Sequence, residues 1–548
     1  MIHFSPLRTF RILCLGLAFF LTLDALPASA SVYQYSAPVG TDPYRKAYLW
    51  IPEKCQHVRG VIIGIQNMLE QMIFEDPVIR QTAAECDLAI VWITPADDAG
   101  DKSTPFHKFT PPDQIKQSVE DLLAQLAETS GYAELKGAPM IAIAHSAATP
   151  FVWGMANAFG AARMIAILPT KGWFMGLPPN IPTLHIAAEY AEVGGANWGE
   201  TMVKDRTAVM KIRSGGEDRL IGEFCDVGAG HFEWDPEMAP VMGMFIRKAV
   251  EARVPRTFTP GQPVTLKPVA PQSGWLLDPA KIGNAEAQPV PYHQWKGDPK
   301  TGLWYFDREM AQTVNDFMAT RLAKKPQVID FTDAKGQPLP LTNGGNPSLP
   351  VQFLPDGYTF KVAAKALDQS PIANLYGGAA AGHAPGPIRF KASSGAIQQT
   401  GPDTFRIWMK RGGLVQQSSP WEPWIMAWQP GDQQYRRADR PGHPWLYTVN
   451  KTGQAQAIDF PKIADQRYGT LTLKLHATSD AGLPVQFYMV SGPADLDEKD
   501  NTLLVFQPAP PRTKFPVKVI VGAYQWGRAL DPKVQSATPV FQEFELTK

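Results

Sequence analysis

Net charge is the first thing this sequence lacks: 52 lysines and arginines balance 52 aspartates and glutamates. No field of one sign gathers nucleic acid or an anionic membrane surface, so neither is an expected partner. Cysteine is scarce, with four in 548 residues. Cys55, Cys86 and Cys225 show no zinc or redox spacing. One disulfide at most is open to them: Cys55 with Cys86, which precede consecutive predicted strands, or else three separate small apolar residues. Histidine clusters with metal-ligand spacing and phosphate-cradling glycine loops are missing, so no metal or cofactor is expected. Past the first thirty residues no apolar run is long enough to span a bilayer.

What is present begins with an export signal. Arg8 and Arg11 precede an apolar run from Ile12 to Leu23 and a small-residue cleavage site, Ala28-Ser29-Ala30. The run is too short for a spanning helix, and Cys14 has no small residue beside it, which argues against a lipid anchor. The mature chain is therefore expected to start at Ser31 and to work in the periplasm or outside the cell. Proline, at 51 residues, is about twice its usual share, yet the 44% apolar fraction is enough to build cores.

The texture changes along the chain and predicts a multidomain protein: 1–30 signal, 31–255 α/β, 256–325 connector, 326–449 a β-rich unit with an insertion, and 450–548 a second β-rich unit. In 31–255 short β-branched runs alternate with helical patterns, the mark of a mostly parallel sheet covered by helices. The predicted strands are 60–65, 88–94, 140–145, 164–168, 183–187 and 221–226. Ile115, Val119, Leu122, Leu123 and Leu126 form one helical stripe, and 238–252 reads as a closing helix. The connector is proline-punctuated and aromatic (Trp275, Trp295, Trp304, Tyr305, Phe306), which predicts packing against its neighbours or a substrate-facing wall.

The two β-rich units echo each other. Ile329-Asp330-Phe331 returns as Ile458-Asp459-Phe460, and Leu349-Pro350-Val351-Gln352-Phe353 returns unchanged at 483–487. Tyr468-Gly469, the run from Ala477 to Val485, and Ser491-Gly492-Pro493-Ala494 resemble the bacterial immunoglobulin-like repeats of secreted and surface proteins. The resemblance implies β-sandwiches acting as spacers or adhesive appendages.

Chemistry is concentrated at Pro139-Met140-Ile141-Ala142-Ile143-Ala144-His145-Ser146-Ala147-Ala148, an apolar strand, a serine among small residues, and then a helical run. A serine hydroxyl is a weak nucleophile; it needs a tight turn that projects it toward a base, with N–H groups nearby for an oxyanion. This segment resembles the nucleophile elbow of the α/β-hydrolase superfamily, with Ala144 and Ala148 standing where that pattern has glycine. The resemblance implies Ser146 as nucleophile and His231, in Gly228-Ala229-Gly230-His231-Phe232, as general base. It implies an acid after the strand 183–187, either Glu189 or Glu192, with Asp218 and Asp226 as outside choices. Oxyanion donors are expected from Ala147 and from Gln66 or Asn67. His145, Trp173, Trp198 and Trp234, with Phe174, are candidate substrate contacts at the carboxyl edge of the sheet.

The function expected from this set is an exported carboxylic-ester hydrolase acting on a small-molecule or polymeric ester, ester-bearing carbohydrate or phenolic ester among them. A serine peptidase of the same fold, and a surface binding protein that has lost activity, are the alternatives.

Overall fold

The computed structural model describes residues 32–40, 45–94, 106, 110–176, 178–191, 200–257, 259, 264–340, 347–368, 382–409, 411, 423–444, 446 and 449–548. The expected export signal, Glu192 and Trp198 lie outside the described residues.

Eight strands form the main sheet: β1 (Tyr35–Pro38), β2 (Lys46–Trp50), β3 (Gly60–Ile65), β4 (Leu88–Thr94), β5 (Met140–His145), β6 (Met164–Thr170), β7 (Thr183–Ala188) and β8 (Ile221–Asp226). Their order is β1-β2-β4-β3-β5-β6-β7-β8. Strand β2 pairs antiparallel with both β1 and β4, and β4, β3, β5, β6, β7 and β8 run parallel. This is the mostly parallel sheet expected of an α/β-hydrolase. Strands β3 to β8 are buried at every residue, which is why they read as continuous apolar runs and not as alternating ones.

Among the described residues six helices accompany the sheet: α1 (Glu70–Phe74), α2 (Pro77–Glu85), α3 (Pro112–Ser130), α4 (Thr149–Arg163), α5 (Glu200–Arg213) and α6 (Ala239–Arg253). In α3 the stripe Ile115, Val119, Leu122, Leu123 and Leu126 is buried; a proline opens the helix and Gly131, at φ +86°, ends it. Helix α3 packs on α4, and α2 on α6.

The aromatic connector belongs to this core. A small sheet of β9 (Trp275–Leu277), β10 (Val290–Pro291) and β11 (Leu303–Tyr305) leads into α7 (Arg308–Leu322), and both β11 and α7 pack on β8. Trp304 and Tyr305 are buried, and Tyr305 Oη donates to the Glu223 carbonyl at 2.7 Å. Of the two readings of this stretch, packing is the one the rings adopt. Cys55, Cys86 and Cys225 are all free and buried, so the Cys55–Cys86 pairing does not form and each acts as a small apolar residue.

Among the described residues the first β-rich unit has nine strands: β12 (Val328–Thr332), β13 (Ser348–Leu349), β14 (Thr359–Lys361), β15 (Ala363–Leu367), β16 (Arg389–Ser394), β17 (Ile397–Gln399), β18 (Thr404–Ile407), β19 (Trp424–Gln429) and β20 (Ala438–Pro444). The second has nine as well: β21 (Ile458–Asp459), β22 (Gln466–Arg467), β23 (Thr472–Lys474), β24 (Thr478–Ser479), β25 (Gln486–Ser491), β26 (Ala494–Leu496), β27 (Leu503–Phe506), β28 (Val517–Tyr524) and β29 (Val540–Thr547). Sheets β12-β15, β13-β20-β19-β16 and β14-β18-β17 recur as β21-β24, β22-β29-β28-β25 and β23-β27-β26. The repeat extends to details: β13 with β20 and β22 with β29 are parallel, and one register shift falls in each of β16 and β25.

Candidate active site

Strand β5 delivers Ser146 to the carboxyl edge of the sheet, where open α/β folds gather their ligands. The backbone of Ser146 sits at φ +54°, in the left-handed region, at a cost of about 1–2 kcal/mol for a residue with a side chain. Ala144 and Ala148 are buried beneath the turn, so alanine is small enough on either side of it. The serine itself carries the backbone twist. A further close approach comes from Gly172, where a Cβ would stand 2.7 Å from the Ser146 carbonyl oxygen.

The loop after β8 brings His231 to the same place. Ser146 Oγ lies 2.6 Å from His231 Nε2, within hydrogen-bond reach. Burial, with the charge of Lys171 adding to it, pulls the imidazole down to about 4. It is therefore uncharged at neutral pH and able to accept the serine proton.

Two residues beside the pair take structural parts. His145, expected to touch substrate, is fully buried; its Nε2 lies 2.7 Å from the His231 carbonyl oxygen, and its ring centroid is 5.0 Å from that of His231. Burial and the neighbouring His231 push His145 well below the ordinary imidazole range, so it is neutral and its Nε2 carries the proton given to that carbonyl. Lys171, just past the end of β6 and also at positive φ, is buried. Its Nζ donates to Asp226 Oδ2 at 2.9 Å, the Gly230 carbonyl at 2.9 Å and the Glu233 carbonyl at 2.8 Å. One ammonium thus ties the strand end to the loop on both sides of His231.

The carboxylates sort themselves by partner. Glu189 is buried, with Oε1 taken by Arg436 Nη2 at 2.6 Å and Oε2 by the Gly228 N–H at 2.8 Å. Asp226 is engaged by Lys171 and by Arg321 Nη1 at 3.5 Å. Asp218 precedes β8, at the amino end of that strand, and pairs with Arg219 at 3.1 Å.

The oxyanion donors expected after β3 are occupied. The Gln66 N–H donates to the Ile93 carbonyl at 2.7 Å, and the Asn67 N–H to Glu70 Oε2 at 2.7 Å. Glu70 also accepts from the Met68 N–H at 3.0 Å and, through Oε1, from the His145 N–H at 2.6 Å. This buried carboxylate is pushed up to about 7 by burial, against the pull of those N–H groups, and it staples the loop after β3 to the residue before Ser146. Ala147 follows Ser146 and is half-buried.

Among the expected aromatic contacts, Trp173 is 56% exposed beside Gly172, and its N–H donates to Thr149 Oγ1 at 2.8 Å. Phe174 is half-buried against His185, with ring centroids 4.3 Å apart. Trp234 is a correction: it is buried in the core, and its carbonyl accepts from Lys391 Nζ at 2.7 Å. Phe232 takes an unforeseen place, edge-on to His231 at 4.7 Å and stacked on Trp424 of β19 at 5.0 Å.

Sequence reasoning missed Glu70, Lys171, Arg436 and Arg437. The last three left a trace: a lone lysine ending an apolar run, and a charge-dense stretch, Arg436-Arg437-Ala438-Asp439-Arg440, leading into a strand.

Among the described residues no group of three metal-ligating side chains occurs, and no helix is long and apolar enough to cross a membrane. No protein-family model and no curated protein matches the chain. Among solved structures it is similar to esterase PE8, at 14% identity over 39% of this chain and 100% of that one, with a TM-score of 0.27. It is similar to LpqC, a poly(3-hydroxybutyrate) depolymerase from Bordetella parapertussis, at 14% identity over 40% and 93% of the two chains, with a TM-score of 0.28. It is also similar to a soluble variant of monoglyceride lipase from Saccharomyces cerevisiae, at 8% identity over 41% and 98%, with a TM-score of 0.29.

Proposed function

We propose that this chain is an exported serine hydrolase that cleaves carboxylic esters through an acyl-enzyme. The observation that carries the reading is the 2.6 Å contact between Ser146 Oγ, on a left-handed turn, and the neutral His231 Nε2. Ser146 Oγ adds to the ester carbonyl carbon as its proton passes to His231 Nε2. The oxyanion takes the Ala147 N–H as one donor. Collapse of the adduct breaks the C–O bond, and the leaving alkoxide collects the proton from Nε2 to depart as alcohol. Water then repeats the sequence on the acyl-serine and releases the carboxylic acid.

Of the two acids expected after β7, Glu189 has both oxygens engaged, which makes Glu192 the acid proposed as partner of His231. Trp173, exposed beside Gly172, supports a substrate with a flat ring, a sugar or phenolic ester on a small molecule or a polymer. The two β-rich units are immunoglobulin-like sandwiches in this reading.

A fluorophosphonate probe tests the mechanism. The wild-type chain should be labelled at Ser146, Ser146→Ala should not be, and His231→Ala should lose several orders of magnitude in kcat on p-nitrophenyl acetate. Glu192→Gln should cost about 10⁴-fold in kcat; Glu189→Gln should cost clearly less. A well-folded wild-type chain that neither labels nor turns over esters would remove the enzyme and leave a binding protein.

A further inference from the structure

The loop from Val227 to Asp235, which presents His231, is held from three directions. The main sheet contributes Lys171, as described above, and the loop contributes its own Glu233, whose Oε2 accepts the Gly230 N–H. The third set of contacts comes from the first β-rich unit. Arg436 holds Glu189, and Glu189 in turn holds the loop twice, accepting from the Gly228 N–H and donating its own N–H to the Ala229 carbonyl at 3.1 Å. Arg437 lies 3.3 Å from Asp235 Oδ1 and is itself fixed by Asp439 at 2.6 and 2.8 Å. Tyr190 Oη donates to the Asp439 carbonyl at 2.9 Å, and Lys391 to that of Trp234.

The loop and the unit fit without slack. A Cβ on Gly228, which sits at φ +95°, would stand 2.6 Å from the Arg437 carbonyl oxygen. The Arg436–Glu189 pair is buried, with 5% and 1% of each residue exposed. Docking alone does not call for such a pair. Burying two charges costs about as much as their attraction returns, and an apolar pair of similar volume would dock the surfaces as well. What the ion pair adds is direction: a carboxylate aimed by one guanidinium presents its second oxygen to a single N–H, three residues before His231.

We infer that the first β-rich unit is a working part of the active site, with Arg436, acting through Glu189, as the residue that positions the His231 loop against Ser146. This rests on the reading of Ser146 and His231 as the catalytic pair. Arg436 is a positioning residue and takes no proton. Its role is to keep Nε2 within reach of Oγ, where a displacement near 1 Å costs about 100-fold in rate.

The test uses the full chain and three readouts: the rate of fluorophosphonate labelling at Ser146, kcat and KM on p-nitrophenyl acetate, and thermal unfolding. Arg436→Gln should slow labelling and kcat by about 100-fold with KM within about twofold. The neutral pair R436Q/E189Q, in which an amide oxygen replaces the carboxylate and still accepts from the Gly228 N–H, should recover most of that loss. Arg512→Ala, which breaks the ion pair docking the second β-rich unit on Glu134, should leave kcat within about twofold of wild type.

A folded R436Q that labels as fast as wild type overturns the proposal, as does an R512A that loses as much as R436Q. If R436Q does not fold, R436Q/E189Q is compared with R436L/E189L, which fills the same space with no acceptor for the Gly228 N–H; equal kcat in the two overturns it. A wild-type chain that fails to label brings down the catalytic reading first and the proposal with it, whereas normal wild-type labelling with an unaffected R436Q brings down the proposal alone.

Discussion

In the first β-rich unit the strand Ala438–Pro444 is buried along its whole length and carries Asp439, Arg440 and His443. The matching strand of the second unit, Val540–Thr547, alternates between buried or half-buried positions and exposed ones over most of its length. The two units share one strand order, one parallel pairing and one register shift, so topology does not account for the difference. Surroundings do: a strand covered on one face alternates, and a strand covered on both does not. The first unit has the His231 loop on its outer side, and Arg436 and Arg437, just before that strand, pair with Glu189 and Asp235 across the boundary. The second meets the α/β region through Arg512 on Glu134 at 2.9 Å, Tyr35 Oη against Thr513 Oγ1 at 2.5 Å, and the Lys514 N–H on the Ser130 carbonyl at 3.0 Å; Ser130 and Glu134 lead into the amino end of β5, whereas Ser146 follows its carboxyl end. One module became part of a site while its duplicate kept an ordinary surface.

The repeated Ile-Asp-Phe words give the sharpest way to break this comparison. Asp330 is buried and paired with Arg440 at 3.1 Å, while Asp459 is exposed. Asp330→Ala removes a buried carboxylate that holds the Arg440 guanidinium and should destabilise the first unit by about 3–5 kcal/mol in urea unfolding. Asp459→Ala should stay within about 0.5 kcal/mol. Equal effects would mean that the two units do not differ in the way their burial indicates.

A smaller effect is expected at Lys391, which lies opposite Met426 in register; Tyr488 takes the corresponding place opposite Gly522 in the second unit. Lys391→Met removes the donor to the Trp234 carbonyl and should cost about 1–3 kcal/mol by thermal unfolding.

The pH dependence of stability sharpens the contrast further. Burial raises the Glu189 carboxyl to about 7, against Arg436 and the Gly228 N–H, with Asp226 acting in the same sense as burial. A carboxyl raised on folding contributes fully below its ordinary value and loses that contribution as pH climbs through the raised one. Arg436→Gln removes the opposing charge and raises the group further. Its unfolding free energy should therefore fall more steeply than that of wild type between about pH 5 and 8. Arg512→Ala should parallel wild type across the same range, displaced by no more than about 1 kcal/mol, since Arg512 is partly in solvent.

Much of the α/β half is legible in the sequence because its signals are local. The run Met140 to His145 is a strand buried at every position, and the stripe in α3 needs only neighbours three and four apart. Ser146 and His231 are legible for the same reason: each sits at a strand end marked by small residues. The expected Gln66 and Asn67 donors fail because the Ile93 carbonyl takes the Gln66 N–H and Glu70 turns inward to take the Asn67 N–H, and nothing in Asn67-Met68-Leu69-Glu70 distinguishes the latter from an ordinary helix start. Trp234 and His145 mislead because a ring near a strand end packs inward as readily as it faces substrate. Arg436 is out of reach altogether: its partner Glu189 lies 247 positions away, and no periodicity links residues so far apart. The repeat itself is visible in Leu-Pro-Val-Gln-Phe, but which copy touches the site is not.

The same separation has a temporal side. A ribosome releases the nucleophile, its turn and the imidazole long before it reaches the arginines that fasten the loop from above. During that interval the groups that emerge first stand without the part that fastens their loop, so the arrangement around Ser146 and His231 is complete only after the greater share of the polypeptide is available to fold.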